Sequence, residues 1–477
     1  MTDSKIDIDR LVDGQKFRRF NFSLLFWCFL ATFADGFEVT SIGLAAPEIA
    51  REWNVAPALM GPMLSASLFG MLIGAPLFGF LGDRHGRRLA ITLGCLVFGI
   101  TTLAVTMAQD TGQISVLRFL TGIGMGGVMP NAIALTSESS PKRLRARLII
   151  LMFMGITLGG TVPGAVSAWL VPEYGWKTIF LIGGVVGIAV GLCAPFALPE
   201  SVKFLGLNPA RRTELIRTLA RMRPDLTFRE DAEVVAPGST RPAARSSLAP
   251  LFSNGLASTT LLLWVCFAIT LMANYFLTSW LPMLFERQGI TPQTAALTAT
   301  MFHFGAIFGA LAMSVLLDRI GFLAIGGMLL AAVPAVLLIG VSGLSPIALG
   351  LIVAFAGFCV IGAQLGNNAS AGLIYPTVCR SKGIGVAFAV GRAGSVLGPI
   401  FGAQLIGLGL PITTTLLALA GPLLVGAIAA FVLARLSYAR FHSWKLDEGR
   451  LFRRGMIRRI ACCRHDERAT LDFTCNF

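Results

Sequence analysis

Charge is scarce in this chain. Only 13% of its 477 residues are Asp, Glu, Lys or Arg, against roughly 25% in soluble domains. Four His and nine scattered Cys leave no spacing that resembles a metal site. Cys462-Cys463 is adjacent rather than Cys-x-x-Cys, and Cys28, Cys95, Cys193, Cys266 and Cys359 fall inside apolar runs, where they act as small hydrophobes. No Gly-x-Ser-x-Gly or His-Glu-x-x-His motif is present, so neither hydrolase nor zinc-protease chemistry is indicated. We expect no enzyme activity, no cofactor and no metal. The polar start (Asp3, Lys5, Asp7, Asp9, Arg10, Asp13) is unlike a cleavable signal peptide.

What is abundant is apolar length. The chain is 55% hydrophobic, with a mean hydropathy of +0.74. A bilayer core of about 30 Å needs about 20 apolar residues per helix. Twelve such spans are read at 22–47, 58–81, 89–108, 113–136, 148–171, 177–198, 257–284, 293–317, 322–342, 346–374, 385–408 and 412–434. The expected fold is an all-α polytopic membrane protein of twelve transmembrane helices in two pseudo-symmetric six-helix bundles. Its divisions are an N-terminus (1–21), a first bundle (22–198), a polar linker (199–256), a second bundle (257–434) and a basic tail (435–477).

The net charge of +14 follows the same plan. With the N-terminus inside, only Arg51, Lys177 and Arg287 lie in outer loops. Arg84, Arg87, Arg88, the Lys142–Arg147 cluster, Arg319, Arg380, Lys382, the linker and the tail lie inside. This asymmetry predicts cytoplasmic N- and C-termini. The basic residues mark topology and anionic lipid, so a lipid bilayer and no nucleic acid is the expected partner.

The halves repeat. Gly82-Asp83-Arg84-His85-Gly86 ends the second span, and Leu317-Asp318-Arg319-Ile320-Gly321 ends the eighth, 235 residues later. Gly155 and Pro163 recur as Gly391 and Pro399, 236 residues on. Duplication of this kind surrounds a midplane site in many carriers. Gly122, Gly124 and Gly127 also satisfy Gly-x-Gly-x-x-Gly, but an apolar helix is the wrong context for a dinucleotide fingerprint. Close helix packing explains them instead.

A few polar residues interrupt the apolar runs. Asp35 and Glu38 sit three apart in the first span, on one helix face. Charges at that depth are costly and point to function. Asp35 is roughly 20 Å up from the inner end, and Arg118 roughly 8 Å down from the outer end of the fourth span, so their depths nearly coincide. Either an Asp35–Arg118 or a Glu38–Arg118 pair is expected, as a structural bridge or as a pair that exchanges partners. Arg392 lies roughly 10 Å into the eleventh span. It either holds a carboxylate bidentately or serves packing between the halves. His303, near the midplane, is either a hydrogen-bonded core residue or a second proton carrier. Glu138 ends the fourth span, where Arg143 or Arg145 could pair with it. Phe37, Tyr275, Trp280 and Tyr375 could stack on a ring, although aromatics in membrane proteins mostly pack or form interface belts.

Gly79 to Arg88, with the order Gly-x-x-x-Asp-Arg-x-Gly, resembles the signature loop of the major facilitator superfamily, and Leu198-Pro199-Glu200-Ser201 resembles the motif closing its first half. Asp35-Gly36-Phe37-Glu38 looks like the helix-one motif of its aromatic acid:proton symporters. Met129-Pro130-Asn131 through Glu138, Leu261–Trp264, Trp280-Leu281-Pro282 and Gly391-Arg392-Ala393-Gly394 look like that family too. Glu38 departs from it, since Asp is usual there. The linker and the tail beyond residue 436 fall outside the resemblance. The resemblance implies a carrier that takes up a small aromatic carboxylate, such as 4-hydroxybenzoate or protocatechuate, with protons across a bacterial inner membrane, as a monomer. Asp35, Glu38 and His303 are then the proton-coupling candidates. Arg118, Arg392, Phe37, Tyr275 and Trp280 are the substrate-binding candidates. Asp83, Arg84, Arg87, Arg88, Glu138, Asp318 and Arg319 are the gating candidates. A proton-coupled exporter of organic anions or drugs is the alternative, since the glycine-proline pattern of the fifth span slightly resembles exporter motifs.

Overall fold

Lipid offers no hydrogen bonds to a backbone, so long apolar runs must satisfy their amides within helices. The computed structural model describes residues 5–226, 228, 233–235, 249–253, 256–375 and 380–441. The expectation of a tail from 435, apart from its first seven residues, and much of the linker lie outside the described residues. A short helix α1 (Ile8–Asp13) precedes six long ones: α2 (Arg19–Glu52), α3 (Pro57–His85), α4 (Arg87–Val105), α5 (Thr111–Ser139), α6 (Lys142–Tyr174) and α7 (Lys177–Ala197). Two linker helices follow, α8 (Val202–Gly206) and α9 (Arg212–Met222). Six more long helices complete the chain: α10 (Ala257–Arg287), α11 (Pro292–Ile320), α12 (Phe322–Ile339), α13 (Pro346–Ile374), α14 (Arg380–Gly407) and α15 (Ile412–Phe441). All twelve long helices are apolar enough to cross a membrane. They coincide with the twelve spans read from sequence. Several extend beyond the apolar stretch, α2, α6, α14 and α15 by more than a turn at one end, while α4, α7 and α12 stop one to three residues short. The only strands among the described residues are Lys5–Asp7 and Glu233–Val235, paired in parallel.

Within each half the helices approach closely where glycine removes the Cβ. At Gly122 on α5 a Cβ would collide with the Ser67 carbonyl of α3, and at Gly36 on α2 with the Ile156 carbonyl of α6. Small residues at such crossings let backbones meet, which is how helices associate in lipid.

The halves meet along α2–α10, α3–α14 and α6–α11. Here we call the end bearing Gly82–Arg88 the basic end. The joins cluster between the midplane and the opposite end. Gly43 packs on Thr278 and Ser279, Gly61 on Ala403, Ala58 on Gly407, and Gly164 on Thr300. Ser65 donates to the Val396 carbonyl at 3.1 Å. At the far rim Arg51 bridges Glu48 (2.6 Å) and Glu286 (3.5 Å), the second across the halves. Beneath the rim lies a pocket of about 200 Å³ lined by Leu44, Glu48, Arg51, Pro282, Glu286 and Pro292, among others. At the basic end, ion pairs join the first half, the N-terminal segment and the linker.

The described first part of the linker, through residue 226, packs into the first half. Leu215, Leu219 and Met222 of α9 face Ile8 and Val12 of α1, Phe20, and Val202 and Leu205 of α8 in one small core. Lys203–Asp9 and Lys142–Asp13 (both 2.8 Å) fasten it. Lys142 holds the Asp13 carboxyl below its usual range.

Candidate functional site

The opening carboxylates of α2 separate into two environments. Glu38 is fully buried and pairs with Arg118, also fully buried. Arg118 adds hydrogen bonds to the Glu38 carbonyl (3.3 Å) and to Ser67 Oγ (3.2 Å), and its guanidinium sits 5.9 Å from the Phe180 ring centre. Of the two expected pairings, Glu38–Arg118 is the one formed. The pair lies inside the first bundle, against Gly183 of α7. Arg118 is therefore enclosed, with both terminal nitrogens engaged by protein groups and its Nε without a partner. Phe37 is enclosed likewise. Its ring packs on Gly183 and is 2% exposed.

Asp35 is buried at 2% exposure, and its Oδ1 has no hydrogen-bond partner. Arg392, on α14 of the other half, is the cation of this site. The Arg392 guanidinium lies 3.5 Å from the Tyr275 hydroxyl and from the Met71 sulfur, and 3.9 Å from the Met129 sulfur. None of these is an anion, and thioethers are weak acceptors. Among the described residues no carboxylate comes within ion-pair distance of Arg392. The site thus has a buried carboxyl with a spare oxygen, a phenol and a cation with unused donors, contributed by α2, α10 and α14.

Trp280 stands apart from this cluster. It is fully buried, its indole N–H donates to the Pro399 carbonyl at 3.0 Å, and it packs on Gly402. These contacts fasten α10 to α14. His303 stands against Gly160 of α6 at the seam between halves, with Nε2 unpartnered. Tyr375 is buried beside Gly383, at the basic end of α13.

At the basic end the candidates form one network. Asp83 and Arg87 pair at 2.5 Å, and Arg87 reaches Glu138 at 3.5 Å. Glu138 accepts from Ser201, so its expected pairing with Arg143 or Arg145 is replaced. Arg143 instead donates to the Gln15 carbonyl (3.2 Å). Arg88 pairs with Glu214 of α9 at 2.9 Å. Glu200 accepts from the backbone N–H groups of Arg88 (3.2 Å) and Ser201 (2.9 Å), while burial pushes its carboxyl above the ordinary range. Arg84, Asp318 and Arg319 are exposed, with no ion pair among the described residues.

Sequence reasoning missed four amide and hydroxyl positions. Asn274 donates to Gln364 at 3.0 Å, and Asn367 to Thr270 at 3.1 Å, joining α10 to α13. The signal was available: Gln364 and Asn367 are three apart in an apolar span, as Asp35 and Glu38 are.

Two pseudo-symmetric six-helix bundles, joined at one end and holding charged side chains where they meet, define a membrane carrier. The profile of the Major Facilitator Superfamily matches residues 28–399 and 263–450, and the chain belongs to that superfamily. It is a transporter and not an enzyme. Similar proteins include a 4-hydroxybenzoate transporter of Acinetobacter baylyi, 36% identical over 90% of this chain and 94% of that one. The 4-hydroxybenzoate transporter of Pseudomonas putida is 36% identical over 91% and 97%. A gallate transporter of Pseudomonas putida is 33% identical over 90% and 95%. Among solved structures, a bacterial homologue of the human lysosomal transporter Spinster, inward-facing and occupied, shares the fold with a TM-score of 0.65 at 17% identity, covering 88% of this chain and 98% of that one.

Proposed function

We propose that the protein takes up a small aromatic carboxylate together with protons across a bacterial inner membrane. It works as a monomer, with the basic end and both termini cytoplasmic. Residues 22–198 and 257–434 are the two moving bodies, joined by 199–256. The observation that carries this reading is Arg392. A half-buried guanidinium whose hydrogen-bond partners among the described residues are a phenol and two thioethers has donors to offer an incoming carboxylate, and its planar fork matches one. The relatives named for 4-hydroxybenzoate, gallate and benzoate transport support an aromatic ring on that carboxylate. The excess of Lys and Arg at the basic end supports the orientation.

Asp35 supplies the coupling. While ionised, it offers Arg392 a competing negative charge across the seam. A proton on Asp35 removes that charge, and the substrate carboxylate takes the guanidinium with the Tyr275 hydroxyl beside it. Closure at the far rim, where Arg51 and Glu286 already join the halves, and parting at the basic end then carry the substrate inward. Loss of the proton to the cytoplasm restores the Asp35 charge and displaces the substrate from Arg392.

Uptake of labelled 4-hydroxybenzoate by cells expressing the protein tests this. Accumulation is expected to collapse with a protonophore, and uptake that ignores it would end the symport reading. Asp35→Asn is expected to abolish accumulation while the protein still inserts, and wild-type uptake by that variant would remove Asp35 from the mechanism.

A further inference from the structure

The seam between α10 and α13 holds a buried polar cluster that the coupling mechanism does not use. Asn274 and Thr270 lie one turn apart on α10 and face Gln364 and Asn367 of α13. Asn274 is 9%, Asn367 1% and Thr270 and Ser370 0% exposed. With both amide N–H groups engaged, Asn274 Oδ1 and Asn367 Oδ1 have no partner, nor has Ser370 Oγ. Buried polar groups in native proteins are almost always satisfied, so unpaired edges gathered in one place mark a ligand position. The cluster contains no charged side chain. Turning an amide over exchanges an unpaired acceptor for an unpaired donor, and a hydroxyl group serves either.

Its place on α10 links it to Arg392. Ala268 and Met272 face α14, opposite Gly394 and Gly398. Thr270 and Asn274 face α13, and Tyr275, which touches Arg392, is the residue after Asn274. The Arg392–Tyr275 contact and the amide cluster are thus neighbours along α10.

We propose that the Asn274–Gln364 amide pair, backed by Thr270–Asn367, binds a ring hydroxyl and selects hydroxylated aromatic acids over unsubstituted ones. This rests on the aromatic-acid reading above. A site built to hydrogen-bond a hydroxyl rejects the analogue lacking it, because its own polar groups are then left unpaired.

The test compares 4-hydroxybenzoate with benzoate, as KM for uptake or as Ki, in the wild type, Asn274→Leu and Gln364→Met. The ratio is taken within each protein, so the amount in the membrane cancels. The wild type is expected to prefer 4-hydroxybenzoate, and each variant to lose about tenfold of that preference with benzoate nearly unchanged. If Asn274→Leu fails to reach the membrane, Gln364→Met, at the less buried partner, decides alone. Equal weakening of both acids, or an unchanged ratio, would show a structural role and overturn the proposal. A wild type that carries both acids without preference would overturn it too, while leaving the aromatic-acid reading intact. A wild type that carries neither would overturn both.

Discussion

The two acids of α2 are three residues apart, yet they have different neighbours. Glu38 is closed onto Arg118 inside one bundle, while Asp35 has an oxygen without a partner and no ion pair among the described residues. An internal pair can only be structural or slowly exchanged. Breaking a buried pair strands a charge and costs about 3–5 kcal/mol, whereas removing both partners costs far less. Glu38→Gln is therefore expected to lower the melting temperature of the detergent-solubilised protein sharply, and Glu38→Gln with Arg118→Gln to recover part of the loss. Additive losses in that cycle would show that the two residues do not act as a pair. The sequence made the cost of Asp35, Glu38, Arg118 and Arg392 readable, since each is a charge in an apolar run. It did not make their pairing readable. Depth along a helix follows from counting residues, but azimuth depends on which helix packs on which face.

Element by element, the spans were legible because apolar length is their physical cause, and all twelve helices follow it. The small core of α1, α8 and α9 was hidden, although Leu215, Leu219 and Met222 repeat at helical spacing. A short amphipathic stretch among Arg and Pro gives no sign of which surface it covers. The glycines announced close packing without naming the partner. Gly122 abuts the Ser67 carbonyl, a backbone atom that cannot swing aside. Gly122→Ala is therefore expected to force α3 and α5 apart at a cost of about 1–3 kcal/mol. The measurement is folded yield and melting temperature, with Gly79→Ala, whose Cβ meets no neighbour, as the control. Equal behaviour of the two variants would remove the packing argument.

For the whole molecule, the joins between halves sit toward one end, and the Arg51–Glu286 pair closes the rim there. Half-exposed pairs contribute little to stability, about 0–1 kcal/mol, but carrier states separated by a few kcal/mol respond to that much. Glu286→Gln is expected to loosen the rim several-fold. The readout is labelling of Ser167→Cys, on the pocket wall, by a membrane-impermeant maleimide. An unchanged labelling rate would mean that the helix contacts alone hold the rim. The enclosed Glu38–Arg118 pair has a further consequence, electrical in kind. Its two charges cancel and stay together, so moving it through the membrane field does no work. On the symport proposed above, the groups that the field would act on are Asp35, Arg392 and whatever they carry, and one proton accompanying one monoanion would add no net charge. Each uncompensated charge would feel about 2.3 kcal/mol per 100 mV. In vesicles with a fixed pH difference, a potassium diffusion potential of either sign is expected to leave the uptake rate unchanged. A rate that follows the potential would mean that a second proton travels with each acid.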